Sequence, residues 1–217
     1  MSAFPNSPRL LKAGLVLVDS NTGAVQRVIV LQYNPDSLSR TLQAQAVRAE
    51  TQNRLEALRL TGPAIETLKL EAEIDAADQL EFPDKNPLAT LVGIHPQLAA
   101  LETIVHPSSG QLLANNSLAL SGVLEIAPAE APLSLFVWSR SRIIPVRITD
   151  FSITEEAFDP NLNPIRAKVS LGMRVLNVND LGFSDKGGNI FMAYLIQKEL
   201  LSGLSTGSLG ALGLENI

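Results

Sequence analysis

The chain lacks cysteine altogether, which excludes disulfide bonds, thiolate zinc sites and a cysteine nucleophile. Charge is scarce as well, at 18% of 217 residues, and aromatic residues make up only 5%. The 17 basic and 22 acidic residues give a net charge of −5. Because a nucleic-acid-binding surface needs clustered positive charge, the sequence predicts a protein that binds no nucleic acid.

Long apolar runs are also missing. The longest uninterrupted one is 190–196, far short of the roughly 20 residues that a membrane span needs. The apolar run 13–18 follows two basic residues but is too short for a secretion signal, and no cleavage-like sequence comes after it. The sequence therefore predicts a soluble chain without a signal peptide or a membrane span.

Apolar residues are nevertheless plentiful, at 46% of the chain. This length and composition predict one large domain, or one domain with appendages, around a sizeable core. Many apolar and few charged residues leave apolar surface to be covered by something else. The simplest cover is other copies of the chain, so the composition favours assembly.

Hydrophobic periodicity predicts a mainly β, α+β protein. Strands are expected at 10–18, 25–33, 38–46, 65–74, 133–138, 143–151 and 165–176, the first two forming a hairpin. Helices are expected at 87–105, kinked or split at Pro96, and at 189–201. Residues 43–60 are expected to form a strand end and a surface loop, and 108–120 a turn-rich segment. The predicted organisation is a β domain over 1–181, followed over 182–217 by a helix and a Gly/Ser/Leu tail.

Two surfaces are candidates for contacts with other subunits. The strand at 165–176 is longer than the usual five to six residues, which predicts that it spans two sheets or lines a surface between subunits. Its outer face carries Arg166, Lys168 and Arg174. The tail carries Leu204, Leu209, Leu212 and Leu214, and it is expected to be either a disordered end or an arm that docks on a neighbour.

Catalytic and metal-binding patterns are weak. His95 and His106 each precede a proline and have no metal-ligand spacing. Ser205 lies in a G-x-S-x-G pattern, but a nucleophile elbow needs a strand before the serine, and here a predicted helix precedes it. The acidic residues at 150–159 lack the spacing of a calcium loop. The sequence predicts no catalytic residue, no metal and no cofactor, and a protein that is not an enzyme.

Two segments together resemble a known family. Residues 30–40, with Tyr33-Asn34-Pro35, and residues 145–171, with Asn163-Pro164-Ile165-Arg166-Ala167-Lys168-Val169-Ser170-Leu171, are similar to the strand end and the closing hairpin of the contractile injection system tube proteins. The resemblance covers roughly residues 10 to 176 in order. It implies a phage-tail-tube-like fold, a two-sheet β-sandwich or barrel with a flanking helix. It also implies a homo-hexameric ring, stacked on the inner tube protein and in contact with cap, baseplate or sheath proteins.

Some baseplate members of this family continue into a LysM domain, and this chain has only the predicted helix and tail there. The expected function is therefore a cap or terminal adaptor ring at the end of the inner tube, made in the bacterial cytoplasm and assembled into a phage-tail-like particle that is either released or docked on a membrane. The alternatives are a baseplate tube-initiator of the same particle, a hydrolase that uses Ser205, and a soluble β-sandwich binding module.

Overall fold

The computed structural model describes residues 10–46, 58–122 and 130–215. This part of the chain is α+β. The strands are β1 (Gly14–Val18), β2 (Val25–Val30), β3 (Leu38–Ala46), β4 (Leu60–Asp75), β5 (Leu133–Ser139), β6 (Arg142–Phe158) and β7 (Pro164–Val175). The helices are α1 (Ala77–Leu80), α2 (Pro87–Val92), α3 (His95–Glu102), α4 (Ser109–Leu120) and α5 (Lys186–Ser202), with short 3-10 turns at Pro83–Lys85 and Leu209–Leu212.

All seven strands of the described residues form one antiparallel sheet, in the order β2-β1-β5-β6-β7-β4-β3. The predicted two-sheet sandwich or closed barrel is therefore wrong. The long strand β7 does not cross between sheets, because it keeps one register with β4 along nine consecutive residue pairs, from Arg166 to Arg174. Strands β2 and β3 are the two edges of the open sheet.

The strand alternation predicted for 65–74 and 165–176 is confirmed. In β4 the side chains of Leu68, Leu70, Ala72 and Ile74 are buried, while the intervening Lys69, Glu71 and Glu73 are exposed. In β7 the buried residues are Ala167, Val169, Leu171, Met173 and Val175. Because side chains alternate across a strand, each of these strands buries one face in the core and turns the other outward.

One main core lies on the inner face of the sheet and is completed by helices. It joins residues of β1, β4, β5, β6 and β7 to Leu98 and Leu101 of α3 and to Phe191 and Tyr194 of α5. A smaller cluster of Val18, Leu133 and Leu135 lies on the opposite face of β1 and β5, where Ile190 of α5 packs. Helix α5 thus contacts both clusters. The division into units at 181/182 stays a prediction.

The predicted helix at 87–105 is split, but at Gly93 instead of Pro96. Gly93 has a φ of 58°, a left-handed conformation that glycine adopts without strain. The next amide, of Ile94, donates to the carbonyl of Pro164 at 2.9 Å, which fixes the break against β7. Pro96 lies in the first turn of α3, where a proline removes no intrahelical hydrogen bond.

The turn-rich segment predicted at 108–120 is wrong, since Ser109–Leu120 is helix α4. Its start is a capping box. The hydroxyl of Ser108 accepts from the amide of Gln111, and the Gln111 side chain accepts from the amide of Ser108, both at 3.2 Å. The Ser-x-x-Gln pattern was present in the sequence and would have indicated this helix start.

The other predicted elements are present, but β6 continues seven residues beyond the predicted end at 151, to Phe158, and β4 begins five residues before the predicted start at 65. Strands β1 and β2 form the expected hairpin, and Gly23 supplies the positive φ, 69°, in its turn. The third strand is found at Leu38–Ala46 as predicted. The C-terminal helix begins three residues earlier than expected and ends at Ser202. Most of the loop predicted at 43–60 lies outside the described residues.

Candidate assembly surfaces

The free edge of β2 offers backbone hydrogen-bonding groups to a further strand. The amide of Leu31 donates to the carbonyl of Ala13 in the β1 direction at 2.9 Å. Because successive residues of a strand direct these groups to opposite sides, Ile29 also faces β1, whereas Val28 and Val30 face away from it. No strand of the described residues pairs with this edge.

A cleft of about 340 Å³ runs along this edge, between β2, the end of β4 and α3. At one end the Gln32 side chain bridges β2 and β4: its amide nitrogen donates to the carbonyl of Asp75 at 2.6 Å, and its oxygen accepts from the Asp75 amide at 3.0 Å. At the other side the Arg27 guanidinium donates to the hydroxyl of Thr103. Side-chain contacts therefore hold the two ends of the cleft, and the outward backbone groups of Val28 and Val30 stay unpaired between them among the described residues.

The three basic residues predicted on the outer face of β7 lie there, but each is paired with a carboxylate of the same chain. Arg166 donates to the carboxylate of Asp75 at 2.7 Å. Lys168 lies 2.9 Å from Glu156, and Arg174 lies 2.7 Å from Asp180. The outer face of the sheet here is mixed in charge, not basic.

These contacts shift the ionisation of the paired groups. The hydrogen bond and charge of Asp75 raise the pKa of Arg166. The hydrogen bond and charge of Glu156 likewise raise the pKa of Lys168. Burial raises the pKa of Asp75, but its hydrogen bonds from Ala77 and Arg166 outweigh burial and hold that pKa below its usual value.

The acidic partners were missed because they lie on other elements. In the register of the sheet, Glu73 is opposite Lys168 and Asp75 is opposite Arg166. The sequence shows that Glu73 and Asp75 alternate with Ile74. It does not show that this strand, β4, lies beside β7. That Arg166, Lys168 and Arg174 belong to an assembly interface stays a proposal.

The leucine tail, defined as Leu204, Leu209, Leu212 and Leu214, has no buried side chain, and Leu212 is 73% exposed. The backbone of its last turn is hydrogen-bonded within the tail. The Ser208 hydroxyl accepts from the amide of Ala211 at 3.2 Å, and the amide of Leu214 donates to the carbonyl of Leu209 at 3.0 Å. The tail thus presents apolar side chains around a short hydrogen-bonded turn.

Helix α4 is a second exposed apolar element, which was not among the predicted contact surfaces. It has no buried residue, and Leu113 and Leu120 are 68% and 82% exposed. Among the described residues, the hydrogen bonds of 108–122 all stay within that segment. The helix stands apart from the core.

A buried carboxylate, also missed from the sequence, anchors α5 to the sheet. Glu66 is only 3% exposed, on the core-facing side of β4. It accepts from the hydroxyl of Tyr194 at 2.9 Å and from the ammonium of Lys198 at 2.7 Å. The Nε atom of Arg40, on β3, lies 3.6 Å from Oε1, the same oxygen that accepts from Tyr194 at 2.9 Å. The signal was its even-numbered position in the β4 alternation.

The weak catalytic patterns gain no support from their surroundings. Ser205 is exposed and follows helix α5, so the strand-turn-helix arrangement of a nucleophile elbow is not formed around it. In the acidic segment, Asp159 accepts from the side chain and amide of Asn163 and from the amide of Asn161, which lower its pKa and close a turn. Within residues 10–46, 58–122 and 130–215, no group of three acidic or histidine side chains is placed to hold a metal ion. That the chain is not an enzyme stays a prediction.

No helix among the described residues combines the length and the apolar character that crossing a membrane requires.

The structure thus defines an α+β protein with an open antiparallel sheet and several unpartnered surfaces. No protein-family model matches the chain, and no curated protein matches its sequence. Solved structures with structural similarity include a chain of the tail of an empty gene transfer agent particle, computed with helical refinement in C6 symmetry. That chain is 13% identical with a TM-score of 0.28, and the match covers 76% of this chain and 90% of that one.

A chain of the virion of a native gene transfer agent particle is 12% identical with a TM-score of 0.26, over 75% of this chain and 90% of that one. Likenesses with TM-scores this low do not establish a shared fold. The proposals below therefore rest on the geometry of the chain itself.

Proposed function

We propose that the chain is a structural ring subunit of a contractile injection system, which stacks on the end of the inner tube as a cap or terminal adaptor. The observation that carries this proposal is the open sheet, in which the outer sides of the edge strands β2 and β3 pair with no other strand of the described residues. Unpaired edges are templates for pairing with another chain. The resemblance of residues 30–40 and 145–171 to contractile injection system tube proteins is the reason for proposing a ring of that system.

A ring uses two different edges of one sheet. In a head-to-tail interface each subunit presents one surface to the subunit after it and a different surface to the subunit before it. The ring closes when the rotation between neighbouring subunits divides a full turn evenly. Strand β2 offers the backbone groups of Val28 and Val30, and β3 offers the backbone groups on its side away from β4. Pairing between copies removes both edges from solvent.

The mixed-charge face of β4 and β7 has a role in this ring that needs no partner. Because Arg166, Lys168 and Arg174 are already paired within the chain, an acidic neighbour would have to displace Asp75, Glu156 or Asp180. A locally neutral polar face instead suits a water-filled channel. We propose that it faces the lumen of the ring.

Cryo-electron microscopy of native particles tests the proposal. Density that fits this chain at the cap end of the tube is the expected result. Density at the baseplate end would move the chain to tube initiation, the alternative for the same particle. Absence from purified particles would overturn both assignments.

A second function, a binding module, is favoured by one specific feature. The cleft between β2, β4 and α3 is lined mainly by apolar side chains such as Val28, Val30 and Ile74. A small apolar ligand or an extended peptide would fit such a cleft. Removing residues 203–217 separates the two functions: it should abolish particle assembly by a ring subunit that docks through its tail, and leave ligand binding in the cleft unchanged.

A further inference from the structure

Helix α4 is not covered by any other part of the chain that the structure describes. It has 12 residues, none of them buried. Helices shorter than about 12–15 residues are marginal in water unless an apolar face is packed. The capping box at Ser108 and Gln111 helps to start the helix but covers none of its leucines.

No residue of α4 is buried, but four of its six apolar residues lie on one side of the helix. At about 100° per residue, Leu112, Leu113, Ala119 and Leu120 fall together around Asn116, and these five residues are the α4 stripe. Ala114 and Leu118 fall on the opposite side and are exposed as well. A partner that covers the stripe would leave Ala114 in solvent.

Both α4 and the leucine tail are free of charge. No Asp, Glu, Lys or Arg lies between Glu102 and Glu125, or between Glu199 and Glu215. Each copy carries a net charge of −5, so copies repel one another except where uncharged segments meet. These two segments are therefore suited to contact between copies.

The tail suits a helix face better than a strand edge. Because Leu214 and Ala211 already donate their amides within the tail, its 3-10 turn offers few backbone groups to the edge of β2. It offers leucine side chains at the surface instead. Within the described ranges of a single chain, no side chain of the tail or of α4 is buried.

We propose that the leucine tail of one copy packs on the α4 stripe of the next copy in the ring. This inference rests on the proposed ring assembly and names its docking partner. Two different surfaces that match each other are what a head-to-tail ring interface requires. Packing would bury the leucines of the tail and the stripe together.

The absence of cysteine allows a direct test. Two differently tagged full-length chains, one with Leu113→Cys and one with Leu212→Cys, are mixed under assembly conditions and oxidised, and mixed disulfide dimers are quantified by mass spectrometry. The matched control replaces Leu113→Cys with Ala114→Cys on the far side of the same helix. All three positions are exposed, and circular dichroism verifies that each variant folds.

The expected result is a mixed-disulfide yield about tenfold or more above that of the Ala114→Cys pair, since docking gives the two thiols a high effective concentration. Equal yields, no cross-link, or a predominance of Leu113→Cys homodimers would overturn the inference. The last outcome would mean that α4 pairs with its own copy.

Native mass spectrometry of the same mixtures reports ring formation separately. Rings without the expected cross-link overturn this inference and leave the proposed function standing. If no ring forms and particles lack the chain, the proposed function fails, while the disulfide ratio still decides whether tail and helix meet.

Discussion

The hydroxyl of Tyr194 donates to the buried carboxylate of Glu66 at 2.9 Å, joining helix α5 to strand β4 across 128 residues of sequence. The ammonium of Lys198 donates to the same carboxylate and lies 4.1 Å from the centre of the Tyr194 ring. A buried carboxylate is tolerated only when it is paired and hydrogen-bonded. These contacts fix α5, and with it the start of the tail, on the sheet.

Removing the Tyr194 hydroxyl should destabilise the protein. Tyr194→Phe keeps the ring in the core but takes a donor from a buried charged acceptor, which costs about 1–3 kcal/mol. Urea denaturation measures the change in the free energy of unfolding. Tyr33→Phe is the matched control, because Tyr33 is exposed and its hydroxyl has no hydrogen bond among the described residues. Equal effects of the two variants would contradict the role given to Glu66.

Two helical glycines should respond oppositely to alanine. At Gly188, in the first turn of α5, an added Cβ would lie 2.1 Å from the carbonyl oxygen of Gly182. We expect Gly188→Ala to cost about 1–3 kcal/mol or more, as overpacking does, despite the helix propensity of alanine.

At Gly110, in the first turn of α4, no atom lies within 4 Å of the added Cβ. Gly110→Ala should therefore leave stability unchanged or raise it slightly. Thermal denaturation compares the two variants. A neutral Gly188→Ala would mean that α5 does not pack closely against the segment before it.

Stability should fall in acid partly through Asp75. Its pKa is lowered below the ordinary 3.8 by hydrogen bonds from Ala77 and Arg166, against the opposing effect of burial. The unfolded chain therefore takes up this proton more readily than the folded one. The stabilisation is fully present above about pH 4 and is lost as the pH falls through the folded pKa.

In Asp75→Asn the stability should fall less between pH 7 and about pH 2.5, because no carboxyl remains to titrate at this position. The midpoint of urea denaturation at each pH measures the change. Asp36→Asn removes one negative charge from an exposed site and controls for the change in net charge. The same acid loss in Asp75→Asn and in the unaltered chain would rule out this contribution.

The free edge of β2 should be needed for assembly between copies. Val28→Pro removes an amide that faces away from β1, so it blocks a further strand while sparing the hairpin. We expect Val28→Pro to fold and to remain monomeric. Val28→Thr keeps the amide and the β-branched shape, and should assemble normally. Sedimentation velocity distinguishes the two, and a ring formed by Val28→Pro would show that β2 does not pair between copies.

The leucine tail should be dispensable for folding and required for assembly. No described residue after Ser202 is buried, so a chain that ends at Ser202 should unfold at the same urea concentration as the full chain. We expect this shortened chain to be absent from assembled particles. Replacing the four leucines of the tail with serine keeps the length and should have the same effect. Normal assembly of both variants would rule out a docking tail.

The sequence by itself determined the local structure of the strands and of the C-terminal helix. Alternation placed the buried and exposed faces of β4 and β7, because side chains of a strand point in turn to opposite sides. Turn residues placed the β1–β2 hairpin. Glu66 occupies a core position of the alternation in β4, but its burial was not predicted. These features depend on neighbours along the chain, which the sequence shows directly.

The tertiary structure alone decided which strands are neighbours, and with that the character of the surfaces. Whether β7 joins one sheet or two depends on long-range pairing, which alternation does not encode. That pairing brings Asp75 to Arg166 and turns a face predicted to be basic into one of mixed charge. Likewise, the leucines of α4 could be recognised as surface only once the core was seen to be complete without them.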